Sequence, residues 1–269
     1  MIGIFDSGLG GLIAFKEIEK ALPDYSYTYL GDTLRSPYGG RSQEAVYEFT
    51  EKAVDFLFQK GCQLVIVACN TASSEALRKL QQEYLPKLKD KSKNILGVIR
   101  PLAEEAVEVS KTKRVGVVGT KATISSNVYE KELQKLDKEI KVFQKTCPLL
   151  VPLIEENYVH RLETKKILKN YLRSLKNDNI DTLILGCTHY PILLKEFRRI
   201  MGKKVQVIDS SEVIAKKLKD YLGRHPEFEK VLEKKKKRKY LVTDLNQNFL
   251  EMSERILNQE VKFEKVIID

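Results

Sequence analysis

Two cysteines follow apolar runs in the same way, one in each half of the chain. The run 64–68 is predicted to be a buried strand, and it ends at Cys69, where small polar residues lead into a helical pattern. The run 183–186 ends at Cys187 in the same manner, before a helix from about residue 192. In parallel α/β sheets the carboxyl ends of strands face helix N-termini, where ligands bind. The repetition predicts two thiols that meet in one site.

A thiol can act as a nucleophile, a metal ligand or an acid/base group, and the sequence favours the third role. A nucleophilic cysteine needs a histidine base and an oxyanion hole, which leaves the second, matched cysteine unexplained. Metal binding needs more ligands, but the chain has only three histidines and no CxxC pair. Two thiols on opposite sides of a carbon suit removal of a proton from one face and its return to the other. The outcome would be inversion of configuration. Because each thiol lies at a helix N-terminus, the helix dipole is expected to lower its pKa.

Asp6 and His189 are candidates for assisting the two cysteines. Asp6 ends the first predicted strand, beside the strand of Cys69, and His189 follows Cys187 by two residues. Taken singly, Asp6 is explained as well by a helix cap, and His189 by a satisfied polar core position. Beside the paired thiols, proton transfer is the favoured interpretation. The other two cysteines, at positions 62 and 147, lack the small polar residues and are expected to be buried packing residues.

Strand and helix patterns alternate along the whole chain. This predicts an α/β fold of two similar doubly wound parallel-sheet lobes that face each other across a cleft. The run 2–5 leads to Cys69 and the run 115–118 leads to Cys187 through similar elements, which indicates a weak internal repeat. The long loop at 32–42 is expected to line the site and to close over it. The predicted lobes are residues 1–95 plus 210–269, with Cys69, and residues 96–209, with Cys187.

Composition predicts an ordinary soluble chain: 269 residues, 42% hydrophobic and 31% charged. No apolar run approaches the ~20 residues of a membrane span, so a cytoplasmic protein without a membrane partner is expected. The net charge of +10 attracts small anionic substrates. The basic run Lys234–Lys239 is interpreted as a flexible loop, because no aromatic residues are interleaved with it. Nucleic acid is therefore not an expected partner, although nucleic-acid binding through this run is the alternative from a different functional class.

Six motifs together resemble the glutamate racemases of the cofactor-independent Asp/Glu racemase family, and they follow that family's order over most of the chain. They are DSGLGG (6–11), GDTLRSPYGGRS (31–42), VACNTAS (67–73), GTKAT (119–123), VPLIEE (151–156) and GCTHYP (186–191). The resemblance implies an isomerase that interconverts L- and D-glutamate without a cofactor or metal. It further implies a cytoplasmic homodimer that supplies D-glutamate for peptidoglycan synthesis, and hence for cell wall biogenesis and cell shape.

The resemblance also assigns roles to individual residues. Cys69 and Cys187 match the two catalytic cysteines, and Asp6 and His189 match the assisting acid and base. An aspartate or hydantoin racemase on the same lobes is the alternative, and His189, after the second Cys-Thr pair, favours glutamate. The sequence departs from the family pattern at Leu34, Ser36 and Arg100. The substrate contacts implied are Asp6, Ser7, Pro37, Tyr38, Gly39, Asn70, Thr71, Thr120, Thr123, Glu155, Thr188 and His189.

Overall fold

Two parallel β-sheets organise residues 1–268, the part of the chain that the computed structural model describes. Helices cover both faces of each sheet, so the strands are buried on both sides and read as continuous apolar runs. The predicted fold of two doubly wound parallel-sheet lobes is confirmed. Within these residues the strands are β1 (Ile2–Asp6), β2 (Tyr27–Gly31), β3 (Leu64–Val67), β4 (Asn94–Gly97), β5 (Arg114–Gly119), β6 (Lys141–Thr146), β7 (Thr182–Gly186), β8 (Gln206–Ile208), β9 (Arg238–Val242) and β10 (Phe263–Lys265).

The helices connect successive strands. The α-helices are α1 (Gly11–Ala21), α2 (Gln43–Gln59), α3 (Asn70–Glu75), α4 (Leu77–Lys79), α5 (Ile99–Val109), α6 (Lys121–Ser125), α7 (Val128–Leu136), α8 (Leu150–Glu155), α9 (Leu162–Asn177), α10 (Leu194–Met201), α11 (Ser210–Arg224), α12 (Pro226–Glu229) and α13 (Gln247–Leu257). Short 3₁₀ turns occupy Tyr38–Gly40, Leu85–Lys87 and Tyr190–Leu193, and a π-helical turn occupies Leu80–Tyr84.

The two sheets share one local strand order. The six-stranded sheet runs β10-β9-β2-β1-β3-β4 and the four-stranded sheet runs β6-β5-β7-β8. In each, the first strand of the lobe, β1 or β5, lies between the next strand and the strand that leads to the cysteine. Phe5 pairs with Val67, and Gly119 pairs with Gly186. Each cysteine therefore follows a strand that neighbours the first strand of its lobe, and it lies beside the loop after that first strand.

Three segments differ from the sequence prediction. The apolar pattern after Cys69 predicts one helix to about Tyr84, but the segment divides into α3, α4 and the π-helical turn before Pro86, which cannot donate a helical hydrogen bond. The sequence PLLVPLIEEN at 148–157 predicts an irregular apolar segment, but the segment contains α8. Pro152 lies in the first turn of α8, where the missing N–H is not needed. The last strand is confined to Phe263–Lys265, shorter than the predicted 261–268.

The predicted division between the lobes stays a prediction. Its first boundary, after residue 95, falls inside β4, which pairs with β3 in the larger sheet. Ile99, at the start of α5, packs into the core of the smaller sheet. The pairing of β4 therefore favours a boundary after Gly97. The final residue of the predicted first lobe, Asp269, lies outside the described residues.

The basic run at 234–239 is neutralised by nearby carboxylates. Its last two residues, Arg238 and Lys239, belong to β9 rather than to the predicted loop. Each of the other four lysines, and Arg238 as well, forms an ion pair with a glutamate or aspartate. The pairs are Lys234–Glu229, Lys235–Glu233, Lys236–Asp24, Lys237–Glu233 and Arg238–Glu19.

Asp32 fixes the loop at 32–42 to the larger sheet. Its buried carboxylate accepts hydrogen bonds from the hydroxyl of Tyr38 and from Thr243 Oγ1, the latter at 2.9 Å. The Arg35 Nε lies 2.8 Å from the same carboxylate. Thr243 follows β9, and its hydroxyl also accepts from the backbone N–H of Leu34 at 2.9 Å. Thr243 thus joins the loop to the sheet, because its hydroxyl donates one hydrogen bond to Asp32 and accepts another from Leu34.

Replacing Thr243 by valine is expected to destabilise the fold. The substitution removes one hydrogen bond to the buried Asp32 carboxylate and the partner of the Leu34 N–H, so the free energy of unfolding should fall by about 1–3 kcal/mol. Urea denaturation of the variant measures this loss. Thr243→Ser keeps the hydroxyl and should lose much less; equal losses in both variants would show that the methyl group matters and not the hydrogen bonds.

Candidate active site

A small cavity lies between the lobes, where the carboxyl ends of β1, β3 and β7 converge. Its volume is about 20 Å³, and both Cys69 and Cys187 line it. A larger cavity of about 1040 Å³ lies between α4, α5 and α11, but the described residues that line it include no cysteine or histidine. The smaller cavity is lined by Ser7, Ser36, Pro37, Cys69, Asn70 and Thr71 from one side and by Thr120, Val151, Cys187, Thr188 and His189 from the other.

Cys69 is held at the junction of β3 and α3. Its thiol donates to Ser7 Oγ at 3.5 Å, and its sulfur accepts from the Ala72 N–H at the same distance. Burial raises the pKa of Cys69 to about 12, and the negative charge of Asp6 acts in the same direction. The predicted lowering of the pKa by the helix N-terminus is therefore wrong for this thiol. The Ala72 amide does lower the pKa, but loss of water around the sulfur has the larger effect.

Cys187 is paired with a charged histidine. Its sulfur lies 3.8 Å from Nδ1 of His189, whose Nε2 lies 3.0 Å from Glu155 Oε1. Burial acts to lower the pKa of His189, but the hydrogen bonds to Cys187 and Glu155 outweigh it and raise that pKa well above its usual value. A protonated imidazole donates from both nitrogens, one toward Cys187 and the other toward Glu155. His189 is thus the positive charge of the site.

Asp6 connects the two lobes at the floor of the site. One carboxylate oxygen accepts from the Gly8 N–H at 2.9 Å, and the other accepts from Thr188 Oγ1 at 3.2 Å, across the lobe boundary. Complete burial raises the pKa of Asp6, while the positive charge of His189 and these hydrogen bonds oppose the rise. Asp6 therefore holds the turn that precedes α1, as a cap would, and it also lies within the electrostatic reach of both thiols.

Hydroxyl and amide groups supply the remaining polar surface. The hydroxyl oxygens of Thr71, Thr120 and Thr123 lie 2.9–3.3 Å from one another across the lobe boundary. Asn70 Oδ1 accepts from the Tyr129 hydroxyl at 2.6 Å, whereas its Nδ2 is buried without a hydrogen-bond partner among residues 1–268. A buried donor without a partner is costly. Because Asn70 lines the cavity, an anionic ligand there would satisfy it.

Some predicted contact residues lie outside the cavity lining. Tyr38 packs its ring against Phe5 and Phe49, with centroid distances of 6.3 and 5.7 Å, so its side chain belongs to the core. Glu155 lies behind His189 and positions its ring. A Cβ atom added to Gly39 would lie 2.7 Å from Thr120 Cβ, so the loop touches the opposite lobe there. Asp6 and Thr123 reach the lining only through Thr188, Thr71 and Thr120.

Sequence reasoning missed two residues of the lining, Ser36 and Val151. Both lie inside the six motifs, and Ser36 is one of the departures from the family pattern. Neither carries a charge or a strong acid/base group, so residue type alone gave no signal. Within residues 1–268, no group of three histidine, cysteine or acidic side chains is arranged to hold a metal ion. None of the helices there has the length and apolarity needed to cross a bilayer.

Comparison with known proteins confirms the resemblance inferred from the motifs. The family described as Asp/Glu/Hydantoin racemase matches residues 14–218. The chain is 43% identical to the glutamate racemase of Aquifex aeolicus over 97% of this chain and 95% of that protein. It is 41% identical to the glutamate racemase of Sulfurihydrogenibium sp. over 98% of this chain and 96% of that protein.

Solved structures give the same result for the fold. A glutamate racemase isoform from Bacillus anthracis superposes with a TM-score of 0.91 at 37% identity, over 100% of this chain and 97% of that one. Glutamate racemase from Francisella tularensis, solved in complex with D-glutamate, superposes with a TM-score of 0.89 at 33% identity and the same coverage. Both matches cover the whole of this chain.

Replacing Glu155 by glutamine is expected to lower the pKa of His189. The carboxylate stabilises the imidazolium and raises the pKa of the ring, whereas burial lowers that pKa. Without the carboxylate, the ring should lose its proton at a lower pH. NMR titration of the ring nitrogens, among the three histidines of the chain, measures this. The exposed neighbour Glu156 offers a matched control, since Glu156→Gln removes the same charge without a bond to His189 and should leave the titration unchanged.

The same pKa has a consequence for stability. Because the pKa of His189 is raised on folding, its protonation stabilises the folded state most at pH below the ordinary histidine pKa. That contribution is lost as the pH rises through the raised value. Glu155→Gln should therefore cost the most stability under acidic to neutral conditions and progressively less at alkaline pH. A loss that is constant across pH would contradict this account.

Proposed function

We propose that this chain, which belongs to the Asp/Glu/Hydantoin racemase family and is an isomerase, interconverts L-glutamate and D-glutamate. The observation that carries the proposal is the pair of thiols in one closed cavity, where the charge of Asp6 acts on Cys69 and His189 lies 3.8 Å from Cys187. Glutamate is the amino acid named for the curated relatives that match nearly the whole chain. The unpartnered Asn70 amide and the threonine hydroxyls supply donors of the kind that carboxylates require.

The proposed reaction is a two-base proton transfer at the α-carbon. One thiolate takes the α-proton, so the C–H bond breaks and an S–H bond forms. The other thiol then gives its proton to the opposite face of the same carbon, so its S–H bond breaks and a new C–H bond forms. No electrons are exchanged with any other group. Configuration is inverted, and each sulfur ends in the protonation state with which the other began.

The surroundings of the thiols assign their starting roles. Cys69, with a pKa of about 12 and the buried Asp6 beside it, starts as the thiol and proton donor. Cys187 lies 3.8 Å from Nδ1 of His189 and is proposed as the base for the first proton transfer. Asp6 and His189 accordingly act through the cysteines, and Glu155 acts through His189 as a positioning residue. In the reverse direction the two roles exchange.

The difficult step is the weak acidity of the α-proton. The proposed mechanism uses neither a cofactor nor a metal, so negative charge that develops on the substrate must be stabilised by fixed donors. The side chains of Asn70, Thr71 and Thr188 lie in the lining, where water is largely excluded. Donors fixed in such a site stabilise developing charge more strongly than water does. Closure of the lobes is therefore part of catalysis.

The cellular role is proposed on the same basis. D-glutamate made by this reaction would supply peptidoglycan synthesis, in the cytoplasm where that amino acid is incorporated into precursors. A homodimer is proposed from the family resemblance. Neither nucleic acid nor membrane has a place in the racemisation itself.

Replacing either active-site cysteine by serine is expected to abolish racemisation. A serine hydroxyl is a far weaker acid, so each variant should lose at least about 100-fold in rate. Polarimetry measures racemisation, and NMR in deuterated buffer with a chelator measures exchange of the α-proton. Cys62→Ser is the matched control, because Cys62 is also buried but lies outside the cavity, and it should retain activity. Exchange of aspartate but not glutamate by the unmodified chain would contradict the proposed substrate.

Replacing Gly39 by alanine is expected to impair catalysis without destabilising the fold. The new methyl group would lie 2.7 Å from Thr120 Cβ and hold the loop away from the opposite lobe. We expect a raised KM and a kcat lowered by about tenfold or more, with an unchanged Tm. Gly40→Ala is the matched control, since a Cβ there meets nothing within 4 Å. Equal kinetic effects in the two variants would mean that loop flexibility matters and not close approach to Thr120.

A further inference from the structure

A groove on the second lobe, between α9 and α10, is lined mainly by cationic side chains. Its volume is about 740 Å³. It lies apart from the cavity of the two cysteines and shares no lining residue with it. We call it the α9–α10 groove. Its lining residues are Leu162, Lys165, Lys166, Lys169, Arg173, Lys176, Asn177, Arg199 and Ile200.

The positive charge of the α9–α10 groove is poorly compensated within the described part of the chain. Glu196 supplies one carboxylate, which is shared between Lys165 at 3.9 Å and Arg199 at 2.7 Å. Lys176 Nζ donates to the backbone carbonyl of Ile200 at 3.0 Å. Among residues 1–268, the other cations of the lining have no carboxylate within 4.0 Å. The run at 234–239 differs, because all its cations except Lys239 are paired with carboxylates.

The cations of α9 form a row along one side of the helix. Lys165, Lys169 and Arg173 are four residues apart, so they lie on successive turns and repel one another. At 1.5 Å of rise per residue, the row from Lys165 to Lys176 is about 16 Å long. Buried Leu168 and Leu172 on the adjoining face hold the helix to its sheet despite this repulsion. A row of like charges that the protein does not neutralise favours an external anion.

We propose that the α9–α10 groove binds a small anion that carries two or more phosphate groups. Several phosphates in series would meet the cations of successive turns, and each would relieve repulsion between neighbours. A concave groove of this volume suits a small molecule. Arg173 and Arg199 offer planar guanidinium groups, which bind phosphate oxygens in pairs. The ligand is thereby defined by chemistry: a chain of phosphates, free or attached to a nucleoside.

The test uses inorganic tripolyphosphate as the probe and isothermal titration calorimetry as the measurement. The groove variant is Lys169→Gln with Arg173→Gln. The matched control is Lys235→Gln with Lys236→Gln, which removes the same charge from the neutralised run. The groove variant should bind about tenfold or more weakly, and the control should bind within about twofold of the unmodified chain. Both variants should keep glutamate racemisation and Tm, because neither changes the cleft.

Further binding measurements distinguish free polyphosphate from a nucleotide as the source of the phosphate chain. Binding of ATP with the same dependence on Lys169 and Arg173 would support the proposal and identify a nucleotide as one source. Equal weakening in the two variants would overturn it, because net charge and not the groove would then explain binding. Failure to bind tripolyphosphate at low salt would overturn it as well. So would binding of a single-stranded oligonucleotide in the absence of any binding of tripolyphosphate or ATP.

Discussion

Opposite charges buried between the two lobes are the constraint on which the rest of this structure depends. Asp6 and His189 are both withdrawn from water, and the positive charge of His189 opposes the effect of burial on Asp6. Thr188 bonds to Asp6, and Glu155 bonds to His189. Neither lobe holds the complete set of partners. The packing of each sheet therefore serves to bring strand ends from two separate cores to one point, where these groups compensate one another.

Small residues make this approach possible. A Cβ on Gly10 would lie 2.6 Å from His189 Nδ1, so a side chain at that position would separate the lobes. A Cβ on Gly186 would lie 2.8 Å from the Val118 carbonyl oxygen, which keeps the strand of Cys187 close to its neighbour. The glycines of the recognised motifs are thus explained largely by contact between elements. These glycines assist the chemistry by allowing the two lobes to approach each other closely at the cleft.

The sequence was sufficient for the fold and for the central pair of the site. Apolar runs that stop at Cys69 and Cys187 predict strand ends, and regular alternation predicts parallel sheets. What it could not show are effects of long-range burial and pairing. The raised pKa of Cys69 depends on surroundings from several elements, and the neutralisation of Lys234 and Lys236 depends on Glu229 and Asp24. The lining residues Ser36 and Val151 were missed because neither residue type indicates acid/base chemistry.

The hydrogen bond between Asp6 and Thr188 links the geometry of the cleft to the uptake of protons. When the lobes separate, Asp6 regains water and loses its partners on the other lobe, so its pKa returns toward the ordinary value of a carboxyl group. Burial in the closed state raises the pKa of Asp6, so closing the cleft favours uptake of a proton by this carboxylate. By linkage, acid then favours the closed form and alkali the open form. Entry and release of an amino acid would accordingly depend on pH even where the charge of that amino acid is constant.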